Sequence, residues 1–121
     1  MLPAKNRLKK SREFARVRRY GRSSGSGLAA VYVLSSRSAD VHIGFSVSKR
    51  VGKAVTRNRV KRRFREATRR HIGALQPGQD LVFIARPASA GASYQDIVQV
   101  VDRLLEKTGV ARTRMLSTQN A

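Results

Sequence analysis

The chain is 121 residues long, 40% hydrophobic, and carries 26 Lys and Arg against 7 Asp and Glu, for a formal charge of +19. That length supports one domain with its own core, and the self-repulsion of such a charge favours a polyanionic partner. With no cysteine and two histidines, a disulfide framework and a Cys-based zinc site are excluded.

No apolar run approaches the ~18 residues of a spanning helix. The opening residues lack the apolar stretch of a secretory signal, so the expected setting is cytoplasmic, away from membranes.

Residues 1–10 are basic and expected to be loose. Ser11 can cap a helix running to about Arg19, with Gly21 as its stop. Phe14 and Val17 share one face of it, while Arg12, Arg16 and Arg19 leave the other positive. The Gly- and Ser-rich stretch 21–27 reads as a flexible connection with room for a short edge strand. Residues 28–35 read as a strand. In a second strand over 41–48, Val41, Ile43, Phe45 and Val47 alternate with His42, Gly44, Ser46 and Ser48. Two strands so close in the chain are expected to pair as an antiparallel hairpin. The small polar face of the second strand suggests an open, shallow floor. Tyr32 joins that floor if Val31 and Val33 face the core.

Between Lys49 and Arg70 stand eleven Lys or Arg and one acid, Glu66. A helix is expected from about Val55. Val60, Phe64, Ala67 and His71 make its core stripe, Asn58, Arg62, Arg65 and Arg69 lie opposite, and Arg57 and Arg63 flank the stripe. Almost no acid stands at i, i+4 to offset the repulsion. Phosphate binding with a steep salt dependence is the expected use of this face. Residues 81–85 are apolar on both faces, as in a covered central strand, and Arg86-Pro87 stops them. Ser93 with Asp96 can form a capping box for a last helix. Its stripe is Ile97, Val98, Val101, Leu104 and Leu105, and Gly109 closes it. Asp96, Asp102 and Glu106 lie there, so this helix is expected to face away from the polyanion. One RNA-binding domain over 1–109 and a disordered tail over 110–121 follow. The pattern is an α+β layer with helices on one side of a sheet.

Aromatic side chains on an open sheet stack unpaired bases, and a positive rim tracks the backbone. Phe14 and Tyr32 are the candidates, with Ser46 and Ser48 beside them. Phe14 reads equally well as a core residue beside Val17, and Tyr32 as an ordinary strand tyrosine. His42 and His71 could in principle form an acid–base pair, but His71 lies on an apolar helix face and reads as structural. The acids are dispersed, whereas a two-metal nuclease needs them clustered. No catalytic residue and no protein-held metal are expected.

The run from Phe45 through Ser46-Val-Ser48-Lys-Arg-Val-Gly-Lys-Ala-Val-Thr-Arg57-Asn58-Arg59 to Glu66 resembles the signature of the bacterial ribonuclease P protein component. Asn6-Arg-Leu8, Ser11-Arg-Glu-Phe14, Tyr32 and Ile84-Ala-Arg-Pro87 match elsewhere, so the resemblance spans residues 3 to about 108. It implies a two-layer α/β sandwich of order αβββαβα with a mixed sheet. It also implies a left-handed βαβ crossover, where the general rule would predict a right-handed one.

The resemblance further implies an accessory subunit of a ribonucleoprotein endoribonuclease that removes the 5′ leader of precursor tRNA. The catalytic RNA carries the chemistry and holds the Mg2+. The implied partners are that RNA and precursor tRNA, with no obligate protein partner. Lys49, Arg50, Lys53, Arg57, Asn58, Arg59, Lys61, Arg62 and Arg65 match the segment that contacts the catalytic RNA. Phe14, Tyr32, Ser46 and Ser48 match the leader cleft, to which Arg18 and Arg86 are added by position. Arg18 stands where many members carry a second aromatic. Arg86 followed by Pro87 stands where a basic pair is common.

Overall fold

The computed structural model describes residues 3–110. Helix α1 spans Ser11–Tyr20, and its N-cap is Lys10, not Ser11; the Lys10 N–H donates to the Glu13 carboxylate at 3.2 Å. Gly21 does end this helix, but with an extended φ of −78° in place of a left-handed turn. The reason is close approach. A Cβ on Gly21 would lie 2.5 Å from the Val17 carbonyl oxygen and 2.7 Å from that of Val33.

Four strands follow the expected segments: β1 Arg22–Gly25, β2 Ala29–Ser35, β3 His42–Val47 and β4 Gln79–Ala85. Their spatial order is β1-β2-β4-β3. The expected hairpin between the second and third strands does not form. Instead β4 inserts between them, antiparallel to β2 with Val31 opposite Phe83, and parallel to β3 with Gly44 beside Val82. The physical cause lies in β4, whose residues 80–83 are all buried. A strand apolar on both faces loses least at the centre of a sheet, and the half-polar β3 takes an edge. That edge is partly closed by the N-terminal segment. Arg7 bridges Ile43, and the Leu8 N–H donates to the Ile43 carbonyl at 3.0 Å. Residues 6–8 are therefore held, not loose: the Asn6 side chain also donates to the Val41 carbonyl at 2.8 Å.

Helices α2 (Ala54–Arg69) and α3 (Tyr94–Thr108) cover one face of the sheet. Val31, Val33, Ile43, Leu81 and Phe83 meet Val60, Phe64, Ala67, Ile97, Val101, Leu104 and Leu105 there. The α+β class stands, with one correction to the layering. Helix α1 lies on the other face, where Val17 and Phe14 pack with Leu8, Tyr32, Leu34, Val82 and Ile84. Strands β2 and β4 carry apolar residues on both sides, so both faces need cover, and the short Phe14–Val17 stripe supplies the second.

The crossover β3–α2–β4 is left-handed, as the resemblance implied. Ile43 turns its side chain into the α2–α3 layer and its carbonyl away from β4, toward Leu8. For an L-residue viewed from the α2 side with β3 running upward, that carbonyl points right, so β4 stands on the left. A helix in front that connects leftward makes a left-handed turn, against the usual hand.

The capping box of α3 forms as read from sequence. The Asp96 N–H donates to Ser93 Oγ and the Ser93 N–H to the Asp96 carboxylate, each at 3.1 Å. Gly109 closes the helix in a left-handed conformation at φ +70°. The tail expected from residue 110 lies outside the described residues from 111 on. Val110 itself is buried, and its carbonyl accepts the Gln76 N–H at 2.9 Å.

Candidate nucleic-acid interface

Two positive surfaces arise from the fold, one on each side of the sheet. The first is α2 and the turn before it. In that turn the Val51 N–H donates to the Ser48 carbonyl and the Arg50 N–H to Ser48 Oγ, leaving Lys49 and Arg50 exposed. Lys53 stands at the N-cap of α2, and Asn58 and Arg62 are exposed along the helix. Arg57, Arg59, Lys61 and Arg65 are half-buried, and the guanidinium Nε atoms of Arg57 and Arg59 are covered by the protein.

Two arginines of the helix donate to the loop after β4. Arg59 Nη2 donates to the Ala90 carbonyl at 3.2 Å, and Arg63 Nη1 to the Ala92 carbonyl at 2.7 Å. These bonds fix the two guanidinium groups against the 3-10 turn Pro87–Gly91 and its end.

The second surface is the α1 face. The expected open floor is partly roofed: Phe14 lies directly over Gly44, where a Cβ would stand 2.4 Å from the ring Cζ. Glycine at this point of β3 therefore makes room for an aromatic ring, and the reading of Phe14 as a packed residue holds in part. It packs with Leu8 and Val17, yet stays half-exposed. Tyr32 is likewise half-buried on this face, and pairing places Ser46 beside Ile84 and Ile84 opposite Ala30. This row of small and aliphatic residues is the floor that α1 leaves. Arg18, one turn beyond Phe14, is exposed on the α1 wall. On the far rim Arg86 reaches across to β1: its Nη1 donates to the Ser26 carbonyl, and its Nη2 lies 2.9 Å from a Cβ built on Gly25. Ser48 stands past the end of β3, at the start of the basic turn.

The two surfaces meet at the β3 edge in a pocket of about 180 Å³. Arg7 and Lys9 from the N-terminal segment and Lys61 and Arg65 from α2 line it, around the rings of Phe14 and Phe45. Phe45 is held by stacking on Phe83, ring centres 5.8 Å apart. Residues predicted for two separate surfaces, Phe14 on one and Lys61 and Arg65 on the other, thus share one hollow. Sequence reasoning missed Arg7 and Lys9. The available signal was Leu8 between them, a single apolar residue in a basic run, which is the anchor that brings both to the edge.

The histidines do not come together. His42 Nδ1 is 3.0 Å from Asp80 Oδ1, and Arg16 approaches the other carboxylate oxygen at 3.7 Å, tying α1 to the sheet. His71 is buried, with Nε2 at 2.5 Å from Asp102 of α3. Its structural role is thereby explained, and no acid–base pair is formed between the two.

Residues 2–109 match the family model described as Ribonuclease P. The ribonuclease P protein component of Clostridioides difficile strain 630 is 41% identical over 105 residues, covering 86% of this chain and 92% of its own. That of Roseiflexus castenholzii is 40% identical over 113 residues and covers 93% of each chain. The solved RNase P protein of Staphylococcus aureus superposes with a TM-score of 0.82 at 29% identity, covering 88% of this chain and 97% of that one. The Thermotoga maritima RNase P protein superposes at 0.75 and 27% identity, covering 84% and 96%.

Proposed function

This chain belongs to the ribonuclease P protein family, and from that premise we propose that it is the accessory subunit of a ribonucleoprotein that matures the 5′ end of tRNA. In this reading the cationic face of α2, with the turn before it, anchors the protein on the catalytic RNA. The α1-face cleft takes the single-stranded 5′ leader of precursor tRNA. One observation supports the pairing of the two roles: Phe14 of the cleft and Lys61 and Arg65 of the anchor line the same pocket. A leader lying in the cleft would then run directly into the phosphates of the RNA that holds the protein. Precursor is favoured over mature product because only precursor has a strand to place there.

The bond cleavage itself belongs to the RNA in this reading, and so does the magnesium. Arg18, Arg86, Lys61 and Arg65 around the cleft are cations, a set that repels a divalent ion and attracts phosphate. What the protein supplies is position and charge. It neutralises phosphates crowded where leader and catalytic RNA meet, which lowers the magnesium needed for the complex to form. Both partners are RNAs of the cytoplasm, and the chain is assigned there.

The test is reconstitution at low magnesium with precursor tRNA, using protein alone, ribonuclease P RNA alone, and both. Strong leader removal with both and little with either alone is the expected result. Cleavage by the protein alone, or no stimulation of the RNA, would overturn the assignment.

A further inference from the structure

Helix α3 was expected to face away from nucleic acid because of its acids, yet its first residue lies among arginines. Tyr94 stands at the start of α3, on the same helical stripe as Ile97, Val101 and Leu104. Those three are fully buried against the core, while Tyr94 is 38% exposed. The difference arises because the seam between α2 and α3 runs out of apolar partners at this end. There Tyr94 meets Arg59, Arg62, Arg63 and Glu66, which together line a groove of about 460 Å³.

The groove is built, not merely charged. Arg59 and Arg63 are fixed by the Ala90 and Ala92 carbonyls, so their guanidinium groups are held before any ligand arrives. Glu66 turns to Arg69, at 3.2 Å, and α3's nearest acid, Asp96, is engaged in the capping box. Among the described residues the guanidinium that stacks on a tyrosine is Arg19 over Tyr20, at 5.4 Å; none covers the Tyr94 ring. An uncapped aromatic face among fixed cations is the arrangement that takes an unpaired base on the ring and its phosphate on the arginines.

We propose that the α2–α3 groove is a single-nucleotide site for unpaired RNA, with a base stacked on Tyr94 and the adjoining phosphate held by Arg62 and Arg59. The inference rests on the reading of α2 as an RNA-binding face, and it extends that face onto the last helix. Its occupant is a single-stranded segment, because a base paired within a duplex does not expose a face for stacking.

The chain has no tryptophan and three tyrosines, so a Tyr20→Phe, Tyr32→Phe variant leaves Tyr94 as its sole tyrosine fluorophore. Titrated at low salt with a short oligouridylate, that variant is expected to lose tyrosine emission. An abasic phosphodiester of equal length should bind without quenching. In the otherwise native chain, Tyr94→Ala should weaken oligouridylate binding about tenfold, and Tyr94→Phe should retain it. Binding without quenching, equal quenching by the abasic strand, or no binding would each overturn the site. Quenching as expected in that variant, with the native chain failing to stimulate ribonuclease P RNA, would leave the site standing and remove the ribonuclease P reading instead.

Discussion

Gly44 has room for a hydrogen atom and little else, because the Phe14 ring occupies the place where a side chain would begin. Replacing it with alanine forces α1 outward or the ring off its rotamer, and overpacking of this kind costs about 1–3 kcal/mol. Gly44→Ala should therefore lower the urea midpoint. The Gly44→Ala, Phe14→Ala double variant should lose less than the sum of the two single changes, since removing the ring removes the clash. Additive losses would mean that ring and glycine do not share this space. Phe14 also faces the cleft. Phe14→Ala is expected to weaken binding of precursor tRNA by ~1–3 kcal/mol, the worth of one base stack, while leaving mature tRNA nearly unchanged. Equal losses for both RNAs would remove Phe14 from the leader site.

Helix α2 serves two ends with two faces. Val60, Phe64 and Ala67 are buried in the core, and this burial holds the helix in place despite its charge. Arg62 and Arg65 stand on the side turned to solvent and to the edge pocket. The Arg62→Ala, Arg65→Ala variant should keep its fold and bind ribonuclease P RNA more weakly. Its log–log salt slope should flatten by about 0.7–0.9 for each phosphate that is no longer neutralised. An unchanged slope with unchanged affinity would place the RNA elsewhere. Helix α3 shows how charge counting along an element misleads. Its Asp102 is spent on His71 and Arg70, and its Asp96 on the helix cap, so its N-terminal end can still face an anion.

At the scale of the molecule, +19 charges on 121 residues oppose folding unless anions gather around them. A ligand that binds only the folded state at a hundred times its Kd adds about 2.7 kcal/mol. RNA or inorganic polyphosphate should therefore raise Tm clearly, and a neutral osmolyte matched for preferential exclusion should not reproduce the dependence on anion charge. A Tm insensitive to polyanions would show that the folded form binds them no better than the unfolded chain does.

Local chemistry was sufficient for the helices, the caps of α3 and the cationic face of α2, because period, capping residues and charge act within a few turns of chain. The Ser93–Asp96 box and the Val60–Phe64–Ala67 stripe are examples, and the run through Arg57-Asn58-Arg59 was enough to suggest the family. Which strands pair was not legible, since two adjacent strands make a good hairpin until a third, apolar on both faces, competes for the centre. Nor was the roof over Gly44, for Phe14 lies thirty residues away in the chain, and its choice between core and ligand depended on which face α1 covers. The edge pocket is likewise a product of the tertiary structure. Leu8 docks on Ile43, the crossover turns left-handed, and only then do Arg7, Lys9, Lys61 and Arg65 stand around one hollow. Residues distant in sequence become a site when burial elsewhere decides where their backbones lie.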